Sequence, residues 1–502
     1  MPSLIRMTSP ISVSNQSRFG ALLALVLVLG SPSWASAADT GGSVRFVPPL
    51  PKRFAPAADE LTALDRYVAK ADTNFAFRVV STTKAPGGTV FVLELTSQAW
   101  LTPAEVDRSV WKHSLVITRP DEVTSQCALL FIGGGGNDKP APKGPDGNVA
   151  RLALDTKSVV AELRNIPNQP VVFFNDGQKR VEDDLIAYTW DKYLRTGDER
   201  WPARLPMTKG AVRAMDAVTA FCASEEGGKL TVDRFVVAGG SKRGWTTWTT
   251  AAVDHRVVGI VPIVIDVLNM EASMQHHYAA YGFFSPAVGD YVRHDIMNWI
   301  GTPEFRALER IEEPYQYRKR FVMPKLVLNA AGDQFFLPDS SRYYYDDLPG
   351  PKYLRYVPNA DHSLKGSDAW ESLQAFYTAL ETGKPLPTVR WKLLPDGTTR
   401  AETLDTPVEV KVWQATNPGA RDFRLETLGP KWTSTPLAGT KGVYNGSVAK
   451  PAEGWTAFMI EFTFSGYGST ALKLTTPIRV LPDTTKYHFE PMVPDKSRPS
   501  AP

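Results

Sequence analysis

The spacing of apolar and polar residues changes along the chain, and the first change predicts where the main sheet lies. Residues 87–96 and 111–119 alternate apolar with polar positions, as half-buried strands do. Continuous apolar runs are typical of strands covered on both faces, and they occur at 127–132, 171–174, 235–238 and 260–265. Between these runs, apolar residues recur three and four apart at 182–194 and 210–223, which predicts helices. The alternation predicts a mostly parallel α/β sheet.

Residues 325–330 and 353–357 predict two further strands, and 368–381 predicts a helix that closes this α/β unit. The stretch from about 268 to 322 interrupts the alternation with aromatic and charged residues in helical spacing. We therefore predict that 268–322 forms a helical cap over the strand ends.

The composition shifts after Gly383, where Pro385 and Pro387 mark a boundary. Short alternating strands separated by turn residues follow at 408–413, 457–464 and 471–474. This pattern predicts a small all-β sandwich at 384–485, after an α/β domain at 38–383. Residues 486–502 are expected to form a loose tail.

The first 37 residues have the features of an export signal. Arg6 and Arg18 precede or flank a short apolar run at 21–30, and Ala35-Ser36-Ala37 is a small-residue cleavage site. Because a membrane span needs about 20 apolar residues, this shorter run predicts a cleaved signal peptide and no stable membrane anchor. An uncleaved anchor is the alternative. We expect a secreted or periplasmic protein.

Charge and cysteine content exclude several classes of function. The chain has 56 Lys and Arg against 53 Asp and Glu, a net charge of +3, which does not indicate a nucleic-acid partner. Two cysteines, Cys127 and Cys222, are too few for a disulfide scaffold or a thiolate zinc site. We expect two buried free thiols, with a disulfide as the alternative. No cofactor and no metal site are predicted.

The segment V-V-A-G-G-S-K-R-G-W at 236–245 places Ser241 between a predicted buried strand and a predicted helix. A nucleophile elbow occupies this position in α/β hydrolases, and its sharp turn requires a residue without bulk such as Gly239. The usual pattern is G-x-S-x-G, whereas here Arg243 stands two residues after the serine and Gly244 one further on. The alternative is a glycine-rich turn whose serine caps the helix.

Two later loops supply the partners that a nucleophilic serine needs. Asp333 directly follows one predicted strand, and His362 follows the next. In α/β hydrolases the order Ser, acid, His at strand ends forms the catalytic triad. We assign attack to Ser241, proton transfer to His362 and orientation of the imidazole to Asp333. Asp266, which also ends a predicted strand, is the alternative acid.

The glycine run at 133–136 follows the strand whose loop normally donates to an oxyanion. We predict that the backbone N–H groups of Gly134, Gly135 and Lys242 form the oxyanion hole. A phosphate cradle is the alternative, but no G-K-[ST] follows the run. The Lys242 and Arg243 side chains lie at the positive end of a helix, so they either extend to solvent or serve the oxyanion or an acidic substrate group.

Further contacts with substrate are expected from Arg243, from Gln334 next to the predicted acid, and from His276 and His277 in the cap. The two adjacent histidines have aromatic neighbours and point in different directions on a helix, so they cannot share a metal as an i, i+4 pair could. The alternative for both is packing within the cap.

Six motifs along the chain are specific. They are S-Q-A-W-L-T-P at 97–103, I-P-N-Q-P at 166–170, E-D-D-L-I-A-Y-T-W at 182–190, L-P-M-T-K at 205–209, A-M-D-A-V at 214–218 and G-G-S-K-R-G-W at 239–245. Through these motifs the chain resembles the PhoPQ-activated pathogenicity-related protein family, and the resemblance covers about residues 50–480. The resemblance implies an α/β-hydrolase fold with weak similarity to serine peptidases and esterases, and it implies the same Ser241, Asp333 and His362. The spacing after Ser241 is also similar to that of glucuronoyl esterases.

These observations predict a serine hydrolase that cleaves an ester or amide of a small or peptide-like substrate through an acyl-enzyme. A serine peptidase is one alternative, although the chain lacks the repeated blades of a prolyl-type propeller. The other alternative is a secreted binding or signalling protein that keeps the scaffold without turnover.

Overall fold

The computed structural model describes residues 56–494. The predicted signal peptide at 1–37 therefore lies outside the described residues, as does the end of the predicted tail. Within 56–494, no helix combines the length and the apolar character that crossing a bilayer requires.

A nine-stranded sheet forms the centre of the molecule, with strand order β1-β2-β3-β5-β4-β6-β7-β8-β9. Its strands are β1 (Ala76–Ala85), β2 (Gly88–Ala99), β3 (Val110–Pro120), β4 (Cys127–Ile132), β5 (Val160–Leu163), β6 (Arg234–Gly240), β7 (Val257–Ile263), β8 (Lys325–Ala330) and β9 (Lys352–Val357). Strands β1, β2, β3 and β5 pair in antiparallel fashion, whereas every pairing from β5 through β4 to β9 is parallel. This arrangement confirms the predicted mostly parallel sheet and the α/β-hydrolase fold.

Ten α-helices lie among residues 56–494. They are α1 (Ala63–Ala69), α2 (Gly147–Thr156), α3 (Glu182–Thr196), α4 (Arg204–Ala223), α5 (Lys242–Val253), α6 (Met270–Tyr281), α7 (Gly289–Arg293), α8 (Pro303–Glu312), α9 (Ala369–Thr382) and α10 (Leu425–Leu428). Short 3-10 helices cover Ala58–Glu60, Pro286–Val288, Ile296–Trp299, Pro314–Arg320 and Ser340–Tyr343. Helices α6, α7 and α8 lie between β7 and β8, where the sequence predicts the cap.

The predicted strand at 171–174 is wrong, because the sheet uses Val160–Leu163 in its place. Residues 171–174 make only isolated bridges, and Phe174 is half exposed with a φ of 49°. The pattern conceals β5 because Glu162 interrupts its apolar run. That carboxylate is buried and binds Arg164 at 2.6 Å, which makes a charged residue acceptable in a covered strand.

Helix α4 begins at Arg204, six residues before the predicted start at 210. Pro206 lies in its first turn, where the missing N–H costs no intrahelical hydrogen bond. The sequence pattern therefore identifies the helix and misplaces its first turn.

Two smaller antiparallel sheets follow the α/β domain, as the predicted β-sandwich requires. Their strands are β10 (Val389–Leu393), β11 (Thr399–Thr403), β12 (Glu409–Asn417), β13 (Thr433–Pro436), β14 (Val443–Gly446), β15 (Trp455–Tyr467), β16 (Thr470–Thr475) and β17 (Arg479–Leu481). One sheet has the order β10-β11-β14 and the other β13-β12-β15-β16, with β17 also paired to β15. Phe376 of α9 belongs to the same apolar cluster as Phe458 and Phe462 of β15, so the two domains share a core.

The described part of the predicted tail is largely exposed, but several of its residues contact the cap segment. The Phe489 ring lies 5.1 Å from that of Tyr278 and 4.9 Å from that of Phe284, both in the cap segment. The backbone N–H of Met492 donates to Asn298 at 3.0 Å. These aromatic contacts hold the segment against α6, which its Pro, Lys and Ser content does not suggest.

Cys127 and Cys222 are both buried and free, as the sequence predicts. Burial raises the pKa of the Cys222 thiol to about 12, so the reactive thiolate form is suppressed. Among residues 56–494, no three His, Cys, Asp or Glu side chains are grouped so that they could hold a metal ion.

Candidate active site

Ser241 lies on a strained turn between β6 and α5. Its φ of 56° and ψ of −123° belong to a region that side-chain-bearing residues rarely adopt. Its N–H donates to Ile263 O at 2.8 Å, and its side chain does not cap α5. A capping role, the alternative for this serine, is therefore absent from the structure.

The glycines around Ser241 allow the turn and α5 to approach the sheet closely. A Cβ at Gly239 would lie 2.7 Å from Arg243 O, and one at Gly244 would lie 2.8 Å from Ile263 O. Neither position has space for a side chain. The displaced glycine of the G-x-S-x-x-G pattern is therefore required where it stands, because α5 crosses β7 at Gly244.

His362 and Asp333 form a paired acid and imidazole at the ends of β9 and β8. His362 Nδ1 lies 2.8 Å and 3.0 Å from the two carboxylate oxygens of Asp333. Asp333 is buried, whereas His362 is 16% exposed at its side chain. A buried carboxylate in this position fixes the ring orientation and the tautomer with a proton on Nδ1, leaving Nε2 free to accept one.

Ser241 and His362 line the same cavity, but no hydrogen bond joins them in this structure. The Nε2 atom of His362 is buried and has no partner among the described residues. An unpaired buried imidazole nitrogen costs free energy unless a ligand or a small movement supplies its partner. In active sites without substrate, the hydrogen bond between nucleophile and base is often long or poorly aligned, and it shortens when substrate binds.

Gln334 and Phe335 fix the imidazole from the side of the acid loop. Gln334 Oε1 accepts the backbone N–H of His362 at 2.9 Å, and the Phe335 ring lies 4.3 Å from the imidazole. The Gln334 side chain thus holds His362, which differs from the substrate contact expected from the sequence. Phe335 N–H donates to Asp333 at 2.7 Å, so the acid is held as well.

Asp266, the alternative acid, lies apart from the imidazole. Its carboxylate accepts hydrogen bonds from the hydroxyls of Tyr344 and Tyr356. Burial raises the pKa of Asp266 to about 7, against the opposing effect of those two hydroxyls. Among the described residues, Asp333 is the carboxylate that reaches His362.

Lys242 and Arg243 are ion-paired inside the protein and do not extend to solvent. Lys242 Nζ lies 2.6 Å from Asp183 Oδ2, and Arg243 forms a bidentate pair with Glu182 at 2.6 Å and 2.9 Å. Both acids belong to the N-terminus of α3, where negative charge is favourable. The two cations of the G-G-S-K-R-G-W motif therefore lie against two acids of the E-D-D-L-I-A-Y-T-W motif, and their charges neutralise each other.

The Arg243 side chain is engaged within the protein, and the substrate contact expected of it stays a prediction. Its Nε also donates to Ile166 O at 2.5 Å, so its fork is directed into the protein. Burial raises the pKa of Glu182, but hydrogen bonding and charge from Arg243 outweigh burial and lower it to about 2. Glu182 and Asp183 were not among the sequence-predicted site residues, although an acidic triplet that opens a helix could have suggested partners for two cations.

The glycine loop after β4 lies against Arg243. A Cβ at Gly134 would be 2.6 Å from Arg243 Nη2, and one at Gly135, whose φ is 152°, would be 3.1 Å from Asn165 N. Gly134 O accepts the N–H of Asn165 at 2.9 Å. Neither glycine lines the two cavities that Ser241 borders. The Lys242 N–H opens α5 and so has no acceptor within the helix.

His276 and His277 are each hydrogen-bonded within the protein, and their contact with substrate stays a prediction. His276 Nε2 lies 3.1 Å from Asp339, which also pairs with Arg421 of the β-domain at 2.6 Å. His277 Nε2 accepts the N–H of Ser285 at 2.9 Å, and burial lowers its pKa to about 3. Both histidines are buried and line neither cavity beside Ser241.

The β-domain contacts both loops that carry the acid and the imidazole. Leu425 N–H donates to Gly332 O at 2.9 Å, directly before Asp333. Asn359 Nδ2 donates to Trp432 O at 2.9 Å, and Trp432 N–H returns a bond to Asn359 Oδ1 at 2.9 Å. No sequence motif predicts this support, because the partners are 73 residues apart.

Ser241 borders two cavities, which we call the inner and the outer cavity. The inner cavity lies under the cap, and its wall includes Lys242 and Phe335. The outer cavity lies on the His362 side, and its wall includes Phe131 and Trp370.

Comparison with known proteins gives relatives of two kinds. Autocrine proliferation repressor protein A of Dictyostelium discoideum is 38% identical over 459 residues, which cover 85% of this chain and 92% of that protein. The solved structures are remote. An acetyl xylan esterase from Paenibacillus sp. R4 is 15% identical, with a TM-score of 0.41 over 60% of this chain and 86% of its own.

A glucuronoyl esterase from Solibacter usitatus is 14% identical, with a TM-score of 0.36 over 63% of this chain and 91% of its own. Sequence similarity to a protein family is much stronger than similarity to these solved structures. A family model matches residues 64–424, which include all the motifs quoted above and the serine, acid and histidine loops. The chain belongs to the PhoPQ-activated pathogenicity-related protein family.

Proposed function

We propose that this protein is an exported serine hydrolase that cleaves an ester or amide bond through Ser241, His362 and Asp333. The observation that carries the proposal is the strained Ser241 turn, which shares a cavity with a His362 imidazole already oriented by Asp333. Strain of this kind persists only where the surrounding structure enforces it, and it is typical of nucleophile elbows.

The reaction follows from these groups. Ser241 Oγ attacks the substrate carbonyl carbon while its proton passes to His362 Nε2, and the Lys242 N–H stabilises the resulting oxyanion. Collapse breaks the bond to the leaving group, which takes the proton from His362. Water then attacks the acyl-enzyme with His362 as base, and the acid product leaves as Ser241 regains its proton.

Export is part of the proposal and rests on residues 1–37. Their basic start, short apolar run and Ala-Ser-Ala site fit a cleaved signal peptide. Cell fractionation with N-terminal sequencing of the mature protein tests it. A mature chain that begins near Ala38 in the exported fraction supports export, and an intact Met1 in the cytoplasm contradicts it.

Binding or signalling without turnover is the second candidate function. Two observations favour it: the 38% identical relative is named as a repressor of proliferation, and Nε2 of His362 has no hydrogen bond to Ser241. A serine peptidase remains a variant of the first candidate and would act on the amide members of the substrate panel.

The test is hydrolysis of aryl esters and aminoacyl anilides by the wild-type protein and by Ser241→Ala. Ser81→Ala, an exposed serine on β1, is the matched control. We expect Ser241→Ala to lower kcat/KM by about a thousandfold or more, and the control to leave it unchanged. A folded wild type inactive on the whole panel would favour the binding function. Equal, non-zero rates for Ser241→Ala and the wild type would contradict the assignment of Ser241 as the nucleophile.

A further inference from the structure

The two cavities beside Ser241 differ in size and in wall chemistry. The inner cavity has a volume of about 60 Å³ and the outer cavity about 440 Å³. Ser241 is common to both, whereas His362 lines only the outer one. A scissile bond held over Ser241 would therefore have unequal space on its two sides.

The chemistry of the proposed reaction decides which part of a substrate takes which side. His362 must deliver its proton to the leaving group, so the leaving group has to lie in a cavity that His362 lines. That cavity is the outer one. The acyl group stays bonded to Ser241 through the intermediate, which leaves it the inner cavity.

The inner cavity is lined mainly by apolar side chains, most of them from the cap. They include Met270, Met274, Val288, Ile296, Met297, Ile300 and Phe305. Its volume is roughly four times the smallest space that holds a water molecule, so it accommodates only a short chain. Methionines provide adaptable packing for such a group.

The charged side chains in the inner wall already face opposite charges. Lys242 pairs with Asp183, which also accepts a hydrogen bond from Tyr291 at 3.0 Å. Arg204 lies 3.4 Å from Glu312 and 3.8 Å above the Trp245 ring. Arg204 Nε and Nη1 have no hydrogen-bond partner among the described residues, but the guanidinium still faces the buried Glu312 carboxylate. A charged acyl group would lose its hydration among mostly apolar side chains and meet charges that are already ion-paired, so the wall favours an uncharged one.

The outer cavity offers both an aromatic surface and hydrogen-bonding groups. Phe131 and Trp370 lie with ring centroids 5.9 Å apart, and Asn148, Ser363 and Ser367 share the wall. Aromatic faces with nearby hydroxyl and amide groups suit a bulky polar leaving group.

We propose that the substrate is an ester or amide of a short, uncharged acyl group with a bulky polar alcohol or amine, bound in the inner and outer cavities respectively. This inference rests on the proposed hydrolase function and adds its substrate class. Specificity then comes from the cap side for the acyl group and from Trp370 for the leaving group.

The first test measures kcat/KM for p-nitrophenyl esters from acetate to laurate, together with the succinate half-ester. We expect rates to fall by about tenfold or more between the short esters and octanoate, and the charged succinyl ester to react at least about tenfold more slowly than butyrate. Met297→Ala widens the inner cavity and should raise the octanoate-to-butyrate ratio about tenfold. Met323→Ala, a buried methionine outside the cavity, should leave that ratio unchanged.

The second test keeps the acyl group constant and varies the alcohol from methanol to a disaccharide. Trp370→Ala should lower kcat/KM about tenfold for the bulky esters and less than about twofold for the methyl ester. Trp391→Ala, at a partly buried tryptophan that lines neither cavity, is the control.

The outcomes separate the two levels of the account. Ser241-dependent hydrolysis with a flat chain-length profile, equal use of the succinyl ester, or a Trp370→Ala effect that is the same for every alcohol would overturn this inference and leave the hydrolase function standing. Absence of any Ser241-dependent hydrolysis would overturn both.

Discussion

Asn359 and Trp432 exchange two hydrogen bonds across the domain boundary, each 2.9 Å long. Asn359 has a φ of 53° and lies three residues before His362, while Trp432 belongs to the β-domain. The β-domain therefore holds the loop that presents the imidazole, and it also contacts the acid loop through Leu425 and Gly332. We therefore infer that the β-domain, for which the sequence predicts no catalytic residue, positions the acid and the imidazole.

Replacing Asn359 with Gly tests this role, because glycine keeps the left-handed backbone and removes only the side-chain bonds. We expect the rate of reaction at Ser241 to fall about 10- to 100-fold, since the imidazole is less well placed. Labelling kinetics with a fluorophosphonate, measured together with the melting temperature, check this.

Gln374→Ala is the matched control for Asn359→Gly. Gln374 bonds to Ser469 of the β-domain at 3.2 Å and to Asp155 at 3.0 Å, away from both catalytic loops. We expect a similar loss of melting temperature and an unchanged labelling rate. Equal rate losses in the two variants would show that the domain contributes stability alone.

Gly134→Ala should disturb the glycine loop through Arg243. The new Cβ would lie 2.6 Å from Arg243 Nη2, whose place is fixed by Glu182. We expect kcat to fall about tenfold or more as the loop moves, with KM changed less. Gly144→Ala, which meets no atom within 4 Å, should behave as the wild type. Equal kcat values for both variants would argue that the loop takes no part in the reaction.

The Arg243–Glu182 pair should make stability depend on acidic pH. The pKa of Glu182 is about 2 in the folded protein against an ordinary 4.5, so its ionised form stabilises the fold above pH 4.5. This stabilisation is lost as pH falls from 4.5 towards 2. Because the Glu182 side chain is 37% exposed, we expect only about 1–2 kcal/mol at neutral pH.

The free energy of unfolding of Glu182→Gln, measured from pH 7 to pH 2, checks this expectation. Its difference from the wild type should shrink towards zero as Glu182 becomes protonated. Glu225→Gln removes an exposed pair with Lys229 and should show almost no difference at any pH. A difference in unfolding free energy between Glu182→Gln and the wild type that stays constant down to pH 2 would contradict the assigned pKa.

Asp266→Asn should alter stability and leave catalysis nearly unchanged. Burial raises the pKa of Asp266 to about 7, so the unfolded chain ionises first and the fold loses stability as pH rises from about 4 through 7. The asparagine variant lacks this loss, and its unfolding free energy should vary less across that range. Its labelling rate at Ser241 should match the wild type, whereas Asp333→Asn slows labelling strongly. Slow labelling of Asp266→Asn would instead indicate that Asp266 is the acid that orients His362.

Sequence patterns predicted the parts of the site that depend on local rules. Buried strands followed by Ser241, Asp333 and His362 could be recognised because each strand and its loop lie within a few residues. The roles of His276 and Arg243 could not be predicted in this way. Asp339 contacts His276 from 63 residues away, and Arg421 pairs with Asp339 from 82 residues away. Glu182 contacts Arg243 from 61 residues away. A histidine or arginine near a site binds substrate only if the fold leaves it unpaired, and local spacing does not contain that information.

The most direct test of the central claim is mass-spectrometric mapping of a fluorophosphonate adduct on the folded wild-type protein. The account predicts one adduct at Ser241, no adduct at that site in Ser241→Ala, and labelling slowed by about a hundredfold or more in His362→Asn. A folded wild-type protein that stays unlabelled, or an adduct on another serine that forms equally in Ser241→Ala, would contradict it.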